Sequence, residues 1–291
     1  AWGLETTLAL SVGMFALALW DRSERILSLA RDRLGEKPLY YGWQGETFLF
    51  GSELRALRAH PSFRAEVDRG SVALLLRQNY IPDPCSIYTG IHKLPAGTLL
   101  SVTRERRDAS PAVYWSLSDV ARRGTANPFA GSDEEAVDEL QRHLGIAVRR
   151  QMLSDVPLGA LLSGGIDSSI VTSLMQASSS RPVRTFTIGF SERDYDESFH
   201  ARAVASHLGT DHTDVRLGAN DALALVPDLA KMYDEPFADS SQLPTHRVMK
   251  LARNSVTVAL SGDAGDELFG GYNRYLHAPK VWRRLGWMSP G

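Results

Sequence analysis

The string Ser163-Gly164-Gly165-Ile166-Asp167-Ser168-Ser169 joins an apolar run, Leu158 to Leu162, to a segment of helical character that starts at Ile170. A strand that passes through two glycines into a helix start gathers free backbone N–H groups and the positive end of the helix dipole at one spot, which suits an anion. The glycines let the main chain approach closely. The hydroxyls of Ser163, Ser168 and Ser169 add donors around a tetrahedral phosphate. No Gly-Lys-Ser/Thr follows four spacers anywhere in the chain, so this is not a Walker A loop. Asp167 sits in the loop instead. A carboxylate beside a polyphosphate costs about 1 kcal/mol per charge pair at ~4 Å in water and about 4 kcal/mol at an effective dielectric of ~20; a divalent cation between them reverses the sign, so the loop implies Mg²⁺. A glycine pair after a strand is by itself only a tight turn. The full seven-residue string in a strand-to-helix context is what selects nucleotide binding.

Further on, Val256 to Leu260 leads into Ser261-Gly262-Asp263-Ala264-Gly265-Asp266-Glu267, again a strand ending in Ser-Gly, now with three carboxylates. Acids this close together repel, so they face water or share a cation. The eight histidines show no metal-ligand spacing; His207 and His212 flank Gly209, and no His-Glu-x-x-His is present.

The elements that must carry these loops follow from periodicity. Strands are expected at 156–162, 184–190, 212–217 and 256–260, alternating with helices at 168–175, 197–208, 221–232 and 243–253. Such alternation demands a parallel, doubly wound sheet, in which ligands bind outside the carboxyl ends of the strands. A capping box at Ser132 and Glu135 opens the helix that precedes them. Residues 13–50 read differently, as short strands split by turn-formers at Asp21-Arg22-Ser23, Gly35 to Pro38 and Gln44-Gly45-Glu46, hence antiparallel meanders. A short helix is expected at 52–57 and an apolar helical face at 72–76. From Arg104 to Gly131 the composition turns to Arg, Asp, Ser, Pro, Gly and Asn. The expected division is therefore 1–110, a linker at 111–131, and 132–291.

The whole chain bounds the function. Its 291 residues suggest about two domains. With 32 Lys+Arg against 34 Asp+Glu the formal charge is -2, so no polybasic field exists for a nucleic-acid backbone or an anionic membrane surface. Cys85 is the only cysteine, which excludes an intrachain disulfide and fits a reducing cytosol. The longest apolar run, Leu8 to Trp20, falls short of the ~18 residues that a bilayer-spanning helix needs, and no basic stretch precedes it as in a signal peptide. Neither a membrane nor a nucleic-acid partner is expected, and the expected location is cytoplasmic.

The first loop resembles the pyrophosphate loop of the N-type ATP pyrophosphatases, and with Leu161-Leu162 before it most resembles glutamine-dependent asparagine synthetase. The second loop is similar to that family's second signature. The stretches Gly13 to Asp21, Ala30 to Tyr41, Gly51 to Leu57 and Ile91 to Gly97 look like the later part of its N-terminal-nucleophile glutaminase domain. The resemblance implies an α/β chain, an incomplete antiparallel glutaminase sandwich followed by the doubly wound ATP pyrophosphatase domain. It implies ATP and Mg²⁺, with cleavage between the α- and β-phosphates, and aspartate and glutamine or ammonia as substrates; it allows a homodimer of the intact enzyme. Residue by residue it places Ser163, Gly164, Gly165, Asp167, Ser168 and Ser169 on the phosphates, Ser261 and Gly262 near the adenylate, and Leu162 and Ile188 as walls for the base. Asp167 and Asp266 hold the metal, and Asp263 and Glu267 are the catalytic pair. Asp234 to Ser241 resembles a family segment near the acceptor. Two departures touch the second loop: relatives carry Glu where Asp263 shortens the reach by about 1.5 Å, and Gly where Ala264 stands. These weaken the acceptor assignment more than the use of ATP, so a related amidotransferase or cyclase acting on another carboxylate is an alternative, as is a non-catalytic nucleotide-binding remnant. The family's glutaminase nucleophile is an amino-terminal Cys, whereas this chain begins with Ala1, and Gly291 precedes the family's catalytic lysine. An internal fragment without glutaminase activity, inactive alone, is the expectation.

Overall fold

The computed structural model describes residues 2–190, 196 and 198–287. Ala1, Glu197 and Gly291, on which expectations above rest, lie outside them. The chain divides into two compact units, one comprising 1–130 with 227–239, the other 131–226 with 240–291.

In the first unit the turn residues set the hairpins. β1 (Ala16–Asp21) and β2 (Ile26–Arg31) pair antiparallel, Asp21 opposite Ile26; the Asp21 carboxylate accepts the N–H of Ser23 at 2.8 Å and of Glu24 at 3.0 Å, fixing the reversal. β3 (Tyr40–Gln44) and β4 (Thr47–Gly51) close through Gly45, whose φ of 64° fits a primed hairpin turn. β5 (Ile91–Lys93) joins the other edge of β3, giving the order β4-β3-β5, while β6 (Thr98–Val102) and β7 (Ala112–Val113) complete a second sheet, β1-β2-β6-β7. Every pairing in both sheets is antiparallel. Leu29, Leu94, Leu100 and Val102 form a core that Tyr41, Trp43 and Phe48 pack against. Around the sheets lie α1 (Leu4–Leu10), α2 (Leu54–Arg58), α3 (Arg69–Gln78) and α4 (Leu117–Ala126). α4 and β7 fall within the stretch whose composition suggests only a connection; the Ser116 hydroxyl caps α4 by accepting the Asp119 N–H.

Asp32 anchors this unit. It is fully buried, and its carboxylate accepts backbone N–H groups from Glu36 and Lys37 at 2.9 Å and from Phe15 and Leu34 at 3.2 Å. Burial alone would push its pKa up. The surrounding N–H donors, Lys37 and Glu36 foremost, outweigh that and hold it below the usual carboxylate range. The adjacent Arg31 guanidinium donates to the carbonyls of Gly35, Lys37 and Leu94, so the turn after β2 is pinned from both sides.

The second unit opens with α5 (Asp133–Gln151), whose capping box is complete: the Ser132 hydroxyl accepts from Glu135 N, and the Glu135 carboxylate accepts from Ser132 N. β8 (Leu158–Leu161), α6 (Ile166–Ala177), β9 (Arg184–Phe190), α7 (Ser198–Leu208), β10 (Asp211–Leu217), α8 (Ala219–Leu225), α10 (Gln242–Ala252) and β11 (Val258–Leu260) then alternate as the periodicity predicts. The expected helix at 221–232 is interrupted. Pro227 lacks an N–H and clashes with the preceding turn, so α8 passes through a 3₁₀ turn into a separate α9 (Leu229–Met232). The sheet is parallel throughout, in the order β10-β9-β8-β11. Val148, Ala160, Met175 and Val183 pack α5 and α6 on it in one cluster, and Phe186, Val248, Ala252 and Val256 pack α10 in another.

Replacing Asp32 by Ala strands several buried donors and should lower unfolding free energy by about 3 kcal/mol, read from urea midpoints. Because its folded pKa is depressed, the stability it contributes is complete above the unfolded value of about 3.9 and is lost as the pH falls through the lower folded value. Asp32→Asn should lack that acid-side loss. Parallel midpoint-against-pH profiles for the two proteins would contradict this account.

Candidate functional site

Sheet order brings the two loops together. The chain proceeds from β8 through β9 to β10 on one side, and β11 returns to pair with β8 on the other, Val258 opposite Leu158 and Leu260 opposite Ala160. The loops leaving β8 and β11 are therefore neighbours at the carboxyl ends of adjacent parallel strands, where the strand order reverses.

Glycine makes the approach close enough. A Cβ on Gly262 would lie 2.5 Å from Ser168 N and 2.9 Å from the Asp167 carbonyl carbon. A Cβ on Gly265 would meet the Asp167 side chain, with Oδ2 at 2.6 Å, and one on Gly271 would strike the Asp266 carboxylate. Gly164 has φ of 84° and faces the backbone of His200 and Ala201 at the start of α7. At Gly262 and Gly164 the obstruction is backbone, so only a residue without a side chain fits; at Gly265 and Gly271 a Cβ would have to displace a carboxylate.

A cavity of about 560 Å³ opens between the loops. Ser163, Gly165, Asp167 and Ser168 line it from the first loop, and Ser261, Gly262, Asp263 and Asp266 from the second. The two carboxylates nominated for a metal, Asp167 and Asp266, thus face one space. α6 begins at this cavity with Gly165 as its N-cap and no side-chain cap, which leaves first-turn N–H groups for a ligand. The hydroxyls are partly engaged: Ser163 and Ser168 bond each other at 2.9 Å, and Ser169 donates to the Gly165 carbonyl at 2.7 Å, so they also stiffen the loop. In the second loop the Ser261 hydroxyl donates to Asp263 at 3.0 Å.

Other nominated residues lie apart. Gly164 and Ser169 do not line the cavity, nor do Leu162 and Ile188. Leu162 is fully buried against Ala201 and Ala205 of α7, and Ile188 packs on the cluster that seats α10. Glu267 does not line the cavity either; its carboxylate accepts the Tyr272 hydroxyl at 2.7 Å. That bond lowers the Glu267 pKa and raises that of Tyr272. Sequence reasoning missed Phe269 and Gly271, which also line the cavity; the Gly270-Gly271 pair was the available signal. It also missed what Asp234 and Glu235 do. Both belong to the first unit. Asp234 accepts the Leu54 N–H at the start of α2 at 2.6 Å, and Glu235 pairs with Lys93 at 2.6 Å while accepting the Ile87 N–H.

The donor set suits magnesium, a hard cation that takes one or two carboxylates and completes its shell with water and phosphate oxygens. Among the described residues no three His, Cys, Asp or Glu side chains form a metal cage of their own.

Residues 139–290 match the asparagine synthase family, and residues 1–115 match the glutamine amidotransferase domain family. The chain is 37% identical over 272 residues to a putative glutamine-hydrolysing asparagine synthetase of Methanocaldococcus jannaschii, covering 92% of this chain and 51% of that protein. It is 31% identical over 264 residues to asparagine synthetase 1 of Bacillus subtilis, covering 90% and 40% respectively. A putative asparagine synthetase of Mycobacterium tuberculosis is 33% identical over 278 residues, 94% of this chain and 42% of that protein. The chain thus spans about half the length, or less, of the curated relatives it matches.

Ala264 occupies the left-handed region, φ 71° and ψ 0°, where a Cβ costs about 1 kcal/mol. Ala264→Gly should therefore raise the melting temperature of the second unit, and a lower value would contradict the strain. Gly265→Ala should displace the Asp167 side chain and weaken MgATP binding about tenfold or more in calorimetry; unchanged affinity would show that the close approach is dispensable.

Proposed function

Because the chain belongs to the asparagine synthase family, we propose that its second unit is the adenylating site of a glutamine-dependent asparagine synthetase. The observation that carries this reading is the shared cavity, in which an uncapped helix N-terminus and acids from two separate loops face the same space. Three carboxylates alone would repel a triphosphate. With a cation held by Asp167 and Asp266 the same cavity becomes a seat for one.

In this reading the side-chain carboxylate of aspartate attacks the α-phosphorus of ATP. An oxygen–phosphorus bond forms as the α–β bridging bond breaks. The first loop receives the departing pyrophosphate through the N–H groups of α6 and the hydroxyls of Ser163 and Ser168, so its donors are oriented before charge develops on the leaving group. Ser261 and Gly262 lie beside the adenylate, and Asp263 and Glu267 flank the reacting carboxyl. Magnesium, when bound, neutralises the phosphate tail and polarises the α-phosphoryl oxygens. Ammonia then attacks the acyl carbon, loses a proton and displaces AMP. The amidotransferase match at 1–115 supports glutamine as the ammonia source for the complete polypeptide; the single cysteine accords with a cytoplasmic location.

The reading is tested by aspartate-dependent exchange of labelled pyrophosphate into ATP in the full-length gene product. Asp167→Ala and Asp266→Asn should each lower exchange about a hundredfold or more. Undiminished exchange in either would exclude the assigned metal pair. Exchange supported by a different carboxylic acid and not by aspartate would keep the adenylation and replace the acceptor.

A further inference from the structure

No basic residue is among the described residues that line the cavity, although three of its carboxylates face a ligand that is itself strongly anionic. One divalent ion leaves a triphosphate with residual negative charge, and an amino-acid acceptor adds carboxylates of its own. Among the described residues, then, the lining offers these oxygens no cation.

The chain supplies one three residues beyond Gly271. Gly271 lines the cavity beneath Asp266, and the next residue, Tyr272, reaches back to Glu267 through its hydroxyl. The Arg274 guanidinium carbon lies 4.1 Å from the centroid of the Tyr272 ring and 5.6 Å from that of Tyr275, so the cation rests against both aromatic rings. Among the described residues, however, Arg274 forms no ion pair within the ion-pair distance limit. A guanidinium is weakly hydrated, and its planar fork matches two oxygens of a phosphate or carboxylate. Stacking on Tyr272 and Tyr275 pre-orders it while leaving that fork unused.

We propose that Arg274 is an oxyanion-binding cation of this site, its guanidinium closing on phosphoryl or carboxylate oxygens of a substrate seated between the two loops. The proposal rests on the nucleotide-binding reading above and adds to it the group that offsets the ligand's residual charge. Tyr272 and Tyr275 are positioning residues: they fix the plane of the fork, and Tyr272 ties it to Glu267.

The test uses the full-length gene product with Arg274→Met, Arg274→Lys and, as a charge control farther along α11 (Asn273–Leu285), Lys280→Met. Binding of MgATP and of inorganic pyrophosphate is measured by calorimetry, and the KM of the acceptor by pyrophosphate release. If the oxyanion is phosphoryl, R274M weakens MgATP and pyrophosphate binding about tenfold or more with the acceptor KM unchanged. If it is the acceptor's carboxylate, the KM rises by a similar factor with MgATP affinity unchanged. In either case R274K recovers part of the loss, added guanidinium ion restores R274M in part, and K280M behaves as wild type. Wild-type affinity and KM in R274M overturn the proposal and leave the nucleotide reading standing. Should R274M fail to fold, R274K decides: identical constants to wild type would overturn the proposal, because an ammonium cannot reproduce the fork. A wild-type protein that binds neither MgATP nor pyrophosphate and releases no pyrophosphate with any acceptor would sink the nucleotide reading itself.

Discussion

Three residues of parallel ladder between β8 and β11 carry much of what this molecule can do. They bring together two loops whose serines and acids are remote in sequence, and they do so at the carboxyl ends of the strands, where helix N-termini and free backbone donors converge. Were β11 to add beyond β10 instead, the two acid-bearing loops would be separated by two intervening strands and Asp167 and Asp266 could not face one cavity. Two of the glycine contacts at the site follow from this adjacency. Gly262 lies against the backbone of Asp167 and Ser168, and Gly265 lies under the Asp167 carboxylate, because the loops have nowhere else to go.

The same economy of side chains governs the serines. In isolation they are phosphate donors; in the folded loop Ser163 and Ser168 bond each other and Ser169 returns to the helix backbone. A loop ordered before its ligand arrives gives up less conformational freedom on binding. The strain at Ala264 shows the opposite pressure: the second loop keeps a left-handed turn that its residue type disfavours, because the positions of Gly262 and Gly265 on either side are already dictated by the first loop.

In the first unit the acids serve the backbone. Asp32 holds a turn through its neighbours' N–H groups, and Asp234 and Glu235 secure α2 and Lys93. Viewed as a sequence, the Asp234 to Ser241 stretch carries as many carboxylates as a binding loop would. Charge density does not reveal whether acids face substrate or their own chain; only the location of donors does. A similar ambiguity holds for Leu162 and Ile188, apolar residues at the ends of strands, which the fold commits to packing on α7 and α10.

The alternation of strands and helices from residue 156 onward, the hairpins of the first half, the capping box at Ser132 and the chemical character of both loops were all legible in the chain, because they rest on local periodicity, turn chemistry and neighbouring residue types. The short strands β5 and β6 were not, since their pairing partners lie far away in sequence; the break at Pro227 and the Ser116 cap of α4 have local causes that periodicity alone does not weigh. Family motifs named the residues of the site. Tertiary structure alone decided which of them share a cavity, which are spent on packing, and that a cation from beyond the second loop, Arg274, is held against Tyr272. The physical reason is that an amino-acid string specifies what each side chain can donate, accept or repel, whereas distance between charges is set by strand order, and Coulomb energy depends on that distance.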